Sequence, residues 1–415
     1  MDLATMHARA EKMMSMIREA AVAPNTQKTF ARALSRVEVA QLVDRSPSRI
    51  ANIEKELVEQ GILSPLIQNS NVRMRYGIQH VHELQKHFGT QPWRDSEMDE
   101  PLVMAVSSLK GGVGKTTVAL YTAQYLALKG YRVLLVDMDN QASTTAAFGI
   151  VPDMDLRADD TVLPFFEGGR QSLHYAIRKT YFSGLDLIPT NLVAFNIEWS
   201  LATEIFENKE NPEEQQALLS LLNDGINSVK DDYDIVILDS PPNLGVTTMS
   251  ILRSVDAMVI PSPARVIDFS STVQFMTLLN KYASQFGVRP KYKFLKMAIT
   301  LYEGSRLSSQ RWLGDGMIDV FEDGIFKVPF VKMAEIENTA SALKTVIEDE
   351  RPQKKALAMV ELFCKQIEAE MLGTWPSRQK EAFRLRKELE KHGLDAATDV
   401  PDADDVVDAS EGDDQ

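Results

Sequence analysis

From Leu102 onward the chain alternates short apolar runs with longer stretches of helical periodicity. VMAVSS, YRVLLVD (131–137), YDIVILD (233–239) and DAMVIPS (256–262) are rich in Val, Ile and Leu and lack the in-out alternation of a half-buried strand. Such runs predict strands covered on both faces, as a parallel sheet requires. With helices between them they define an α/β, doubly wound, mostly parallel sheet over residues 102–375.

The remainder has other rhythms. Residues 1–27 open with an amphipathic helix whose stripe is Leu3, Met6, Ala10, Met13, Met14 and Ile17, ended by Pro24-Asn25. It packs on its own domain or serves dimerisation. Residues 28–88 form a small helical domain, and GTQPWRDSEMDEP (89–101) has the composition of a linker. Residues 376–394 form a charged, basic helix, and the acidic tail 395–415 is expected to be disordered.

The densest chemistry is SSLKGGVGKTTVAL, a glycine loop between a strand and a helix. Gly111, Gly112 and Gly114 allow the tight turn that converges backbone N–H groups, Val113 included, on phosphate oxygens, and the helix terminus adds positive dipole. Lys115 supplies charge to the β- and γ-phosphates, Thr116 a hydroxyl for Mg²⁺, and Thr117 is the last nucleotide-binding residue of the run. Leu109 stands where the usual phosphate-loop consensus has its first glycine. Lys110-Gly111-Gly112-Val113-Gly114-Lys115-Thr116 instead resembles the deviant Walker loop of the ParA/MinD ATPases. That resemblance implies a homodimer with ATP sandwiched between subunits and Lys110 reaching the facing nucleotide.

Two more segments resemble the same family. Asp137-Met138-Asp139 with Gln141 is similar to its D-x-D-x-Q stretch, and Asp239, ending YDIVILD, to its Walker B carboxylate. Phosphoryl transfer needs positioning and charge neutralisation. Asp239 is therefore expected to hold Mg²⁺ through water and Asp139 to orient the attacking water, while Asp137 shares either role. The likeness runs over about residues 102–370, through KMAITL and KVPFVKMAEIENTA, and implies that Pro329 lies near the adenine.

SRVEVAQLVDRSPSRIANIEKELVEQGIL (35–63) reads as a helix-turn-helix, with Val37, Ala40, Leu42 and Val43 lining one helix and Ile50, Ile53 and Leu57 the other. Ser46-Pro47 marks the second helix start. Ser46, Ser48, Arg49 and Asn52 then face a major groove, with Lys55 nearer the backbone. IQNSNVRMRYGI (67–78) resembles the wing that follows such helices and offers Arg73 and Arg75 to DNA. The larger plasmid partition ATPases resemble this arrangement, an amino-terminal winged helix-turn-helix fused to the ATPase. His80-x-His82 is poor metal spacing.

Charge sharpens the picture. The net charge of −14 is concentrated in the tail, where residues 395–415 hold nine acids and no base. Residues 1–94 carry thirteen Lys and Arg against nine Asp and Glu, which permits phosphate contact there. Further basic clusters, Arg306 and Arg311, Lys291, Lys293 and Lys296, and Arg384, Arg386 and Lys387, are candidates for non-specific DNA. No apolar stretch spans a bilayer and no secretory signal opens the chain, so a cytoplasmic protein is expected. The lone Cys364 rules out an intramolecular disulfide and a cysteine-held cluster, and with it a nitrogenase reductase.

The site together with the resemblance implies a slow ATPase using ATP/ADP and Mg²⁺, dimeric, nucleoid-associated, binding DNA non-specifically in its ATP state. The resemblance adds stimulation by a ParB-type centromere-binding protein and repression of its own operon, favoured by ADP. The alternatives are an ATP-sensing repressor without turnover and a MinD-like positioning ATPase, the latter disfavoured by an acidic tail that anionic lipid repels.

Overall fold

The computed structural model describes residues 2–21, 28–67, 74–208, 210–285, 291–303 and 309–396. The main sheet has eight strands in the order β10-β9-β8-β3-β7-β4-β6-β5. In chain order these are β3 (Leu102–Val106), β4 (Val133–Asp137), β5 (Arg178–Lys179), β6 (Leu185–Ile188), β7 (Ile235–Asp239), β8 (Ala257–Pro263), β9 (Phe294–Thr300) and β10 (Ile325–Phe326). All pairings are parallel except the edge pair β5–β6.

Alternate residues of the central strands enter different cores, which is why those runs are apolar at every position. Leu102, Met104, Val106, Val133 and Leu135 join the helices Lys115–Lys129 and Lys354–Gly373 on one face. Val103, Ala105, Leu134 and Val136 join the helices Phe195–Glu207, Pro212–Asn227 and Val246–Ser254 on the other. The doubly wound architecture expected from the sequence is present.

The amino-terminal region holds helices α1 (Leu3–Ala21), α2 (Arg36–Leu42), α3 (Pro47–Glu59) and α4 (Ile78–Phe88), with β1 (Leu34–Ser35) antiparallel to β2 (Met74–Tyr76). Leu3, Met6 and Met13 of the predicted α1 stripe face solvent; the side chains of Met14 and Ile17, and the stop at Pro24-Asn25, lie outside the described residues. A Ser35–Glu38 capping box starts α2, and Ser46 caps α3 with Pro47 in its first position, as read from the sequence. Val37 departs from expectation. It is 55% exposed, while Val39, Ala40 and Val43 face the core.

Residues 89–101 are a packed strap rather than a loose tether. Arg94 bonds to Asp234 and to the carbonyls of Tyr233, Asp99 and Asp231, and Asp99 accepts from the Ser377 backbone. Among the described residues no helix is long and apolar enough to cross a membrane.

Candidate active site

The loop after β3 runs from Ser107 to Gly114 and opens α5 (Lys115–Lys129). Gly112 (φ +72°) and Gly114 (φ +93°) adopt the left-handed conformation that side chains disfavour. A Cβ on Gly114 would sit 3.6 Å from Thr300, whose hydroxyl donates to the Val113 carbonyl at 2.7 Å, tying the loop to the end of β9. Gly111 and Gly112 leave their backbone exposed, whereas Lys115 is only 6% exposed. The Lys115 Nζ donates to the Lys110 carbonyl at 3.1 Å. Burial lowers its pKa while the carboxylates of Asp239 and Asp139 act in the opposite sense, leaving a desolvated cation directed at the loop interior. Thr117 is half-buried in the first turn.

The sheet order gathers the acids. β7 lies between β3 and β4, and the register sets Asp239 level with Val106 on one side and with Asp137 on the other. Asp239 is fully buried. Its Oδ2 accepts from Thr116 Oγ1 at 2.7 Å and from Thr144 Oγ1 at 2.8 Å, while Oδ1 has no hydrogen-bond partner. Burial, against the opposing hydrogen bonds of Thr116 and Thr144, pushes its pKa up to about 6. A buried, unsatisfied carboxylate oxygen beside a threonine hydroxyl is costly without a cation or its waters, so these residues fit the Mg²⁺ that the sequence implies.

Asp137 and Asp139 occupy different settings. Asp137 Oδ2 accepts from the Thr145 backbone N–H at 2.8 Å and its hydroxyl at 2.7 Å, and Oδ1 from the Asp139 N–H at 3.2 Å. Burial, then the charge of Asp239, drives its pKa well above the carboxylate range. Asp139 is 7% exposed and accepts from the Gln141 N–H at 3.0 Å. Asp137 is thus spent on holding the turn, and Asp139 is the freer carboxylate. Pro329 is buried three residues after the end of β10, where the neighbouring Phe330 N–H donates to the Ile299 carbonyl of β9 at 2.8 Å.

Several contributors carried no sequence signal strong enough to single them out. Thr144 and Thr145 follow the D-x-D-x-Q stretch and could have been found by asking what pairs with its acids. Asp268, which binds Lys110, and Glu198, which accepts from the Val246 and Thr247 N–H groups at 2.6 and 2.9 Å, come from distant helices and could not.

The proposed DNA face is open: Ser46, Ser48, Arg49, Asn52 and Lys55 are all exposed on α3. Ser46 Oγ accepts from the Arg49 N–H at 3.3 Å and stands 3.1 Å from Ser48 Oγ, and Lys55 pairs loosely with Glu59. Arg73 lies outside the described residues, as does the Arg75 side chain on β2. His80 accepts from Gly77 N–H and reaches the Pro65 carbonyl, so it braces the domain. In the other basic clusters Arg311 pairs with Asp315 and Asp395, Lys296 and Arg386 with Glu370, and Lys293 with Asp256. Arg306 lies outside the described residues.

Sheet order, glycine loop and converging acids define a phosphate-loop nucleoside triphosphatase with a deviant Walker loop. A family model described as an AAA domain matches residues 102–291. Protein SopA of Escherichia coli K12 is 32% identical over 303 residues, 71% of this chain and 77% of SopA. The chain belongs to the ParA-type partition ATPases. Among solved structures, one named "Partition Protein" aligns over 90% of this chain and 98% of its own, with 22% identity and a TM-score of 0.63. Cobyrinic acid a,c-diamide synthase from Mycobacterium smegmatis, bound to an ATP analogue and magnesium, covers 65% of this chain with 24% identity and a TM-score of 0.50. Both likenesses concern the fold.

Proposed function

We propose that the chain is a plasmid-partition ATPase that hydrolyses ATP slowly, dimerises around nucleotide, and binds DNA in two ways. The observation that carries the reading is the Asp239 carboxylate, one oxygen engaged by Thr116 and Thr144 and the other unsatisfied, beside a lysine-bearing glycine loop. The backbone N–H groups of 111–115 and the Lys115 amine receive the β- and γ-phosphates. Mg²⁺, held by the Thr116 hydroxyl and by Asp239 through water, would neutralise charge on the phosphate oxygens. Asp139 orients the attacking water, and Asp137 keeps Asp139 in place by fixing the turn between them. Lys110 completes the site from the facing subunit, and Pro329 flanks the adenine.

In this reading the ATP-bound dimer binds DNA without sequence preference and associates with the nucleoid. A ParB-type protein stimulates hydrolysis, and the ADP form represses the operon through α3. Support comes from the likeness to SopA and from the open polar face of α3. The test is DNA binding by the purified chain with ATP, ADP or no nucleotide, on random duplex and on its own upstream region, at two salt concentrations. ATP-dependent, salt-sensitive binding to random duplex with ADP favouring the upstream region is the expected result. Absence of binding under every condition would replace the DNA partner with a protein one.

A further inference from the structure

The helix that begins at the phosphate loop ends against the amino-terminal module. α5 spans 15 residues, about 22 Å, and most of them are buried. Its carboxyl end closes with Gly130 at φ +103°, the Tyr131 N–H donating to Leu126 O and the Gly130 N–H to Ala127 O. That is a Schellman arrangement, and it leaves acceptor capacity on the last carbonyls. Three donors from the amino-terminal side take it up. His82 Nε2 bonds to Ala127 O at 2.8 Å, Gln85 Nε2 to Lys129 O at 2.7 Å, and Trp93 Nε1 to Gly130 O at 2.9 Å.

Gln85 does more than cap. The same Nε2 donates to Leu42 O at 3.0 Å, the last residue of α2, so one amide group bridges the end of the phosphate-loop helix to the helix preceding α3. Its Oε1 is buried against Gly130 without a hydrogen-bond partner. The joint also rests on two glycines. A Cβ at Gly130 would stand 2.0 Å from Gln85 Oε1, and one at Gly184 (φ +84°) 2.9 Å from His82 Cε1. Two left-handed glycines therefore admit the two α4 side chains that reach α5.

We propose that α5 is the coupling rod between nucleotide and the amino-terminal module, with Gln85 as the positioning residue that transmits its displacement to α2 and α3. The phosphate loop lies at one end of α5 and the bridge at the other. A helix buried along its length shifts as a unit, because packed interfaces switch between discrete arrangements rather than deform continuously. The proposal rests on the ATPase reading for its effector; the DNA reading supplies only its output.

Hydrogen exchange of the full chain, with and without ADP or a non-hydrolysable ATP analogue, tests it without DNA. In the wild type, nucleotide should change amide exchange in α2 and α3. Gln85→Met keeps the volume and removes the donor, and Trp93→Phe keeps the ring and removes its N–H. Both should retain nucleotide affinity and lose the α2–α3 response. On duplex DNA, a nucleotide-dependent change in affinity of about fivefold or more in the wild type should fall towards unity in the variants. Wild-type α2–α3 peptides indifferent to nucleotide, or variants that respond as the wild type does, would overturn the coupling. Intact coupling in a protein that binds no duplex would overturn the DNA reading alone.

Discussion

The ammonium of Lys110, on the phosphate loop, is bonded to the carboxylate of Asp268, in the first turn of the helix Val266–Gln285. The lysine expected to serve a facing subunit is held here by its own chain. Asp268 is 8% exposed and the Lys110 side chain 39%, so the pair is partly screened and worth about 1 kcal/mol. Asp268→Asn should raise turnover per site by up to about fivefold, the release of that restraint, with ATP affinity nearly unchanged. Steady-state phosphate release and equilibrium nucleotide binding check this; a fall in turnover would mean that Asp268 assists Lys110 rather than restrains it.

The two acids of the D-x-D stretch should separate cleanly. Asp139→Ala should bind ATP and lose turnover with little effect on stability. Asp137→Ala leaves the Thr145 N–H and hydroxyl without their acceptor and should lower stability by about 1–3 kcal/mol, with activity falling as a consequence. Thermal melts beside single-turnover hydrolysis distinguish the cases.

Acid should loosen the joint at α4. His82 is half-buried, its Nδ1 lies 3.0 Å from the Ser183 hydroxyl, and its Nε2 donates to Ala127 O at 2.8 Å. Burial holds its pKa below the ordinary 6.5, against a smaller opposing effect of the Ala127 carbonyl and Glu83. The folded state thus binds this proton less readily than the unfolded chain. Its contribution is complete above pH 6.5 and declines as pH falls towards the depressed folded value, by up to about 1.4 kcal/mol per pH unit. His82→Gln should flatten that part of the pH profile of Tm, measured from pH 7.5 down to about pH 5.

Arg49 is exposed in the amino-terminal half of α3, with its backbone N–H on the Ser46 cap. Arg49→Ala should weaken binding to the upstream duplex by about 1–3 kcal/mol and leave ATP turnover unchanged. A titration with the random duplex in parallel separates a base contact from a phosphate contact, since only the latter weakens both.

The sheet and its loop were legible because their signals are local: unbroken apolar runs, glycines at a strand-to-helix junction, acids at strand ends. The Ser46-Pro47 start was legible for the same reason. Val37 was misplaced because the periodicity of a seven-residue helix gives a stripe but not its rotation, which packing against the core sets. The partners of Lys110 and of the Val246 N–H lie 158 and 48 residues away in sequence, and no period or motif links them. Composition likewise made 89–101 a linker, although Arg94 and Asp99 spend their polar groups on the ATPase domain.

That strap ties the two ends of the ATPase region together. Trp375 is fully buried and donates to Glu100 O, and Arg378 donates to the carbonyls of Gln91 and Trp93. Residues before the first sheet strand and residues after the last one therefore share a single seam. Excising the residues before 101 would strip hydrogen-bond partners from the far end of the polypeptide. An isolated ATPase fragment of this sequence should therefore inherit a defect at its carboxyl-terminal helices rather than at its nucleotide site.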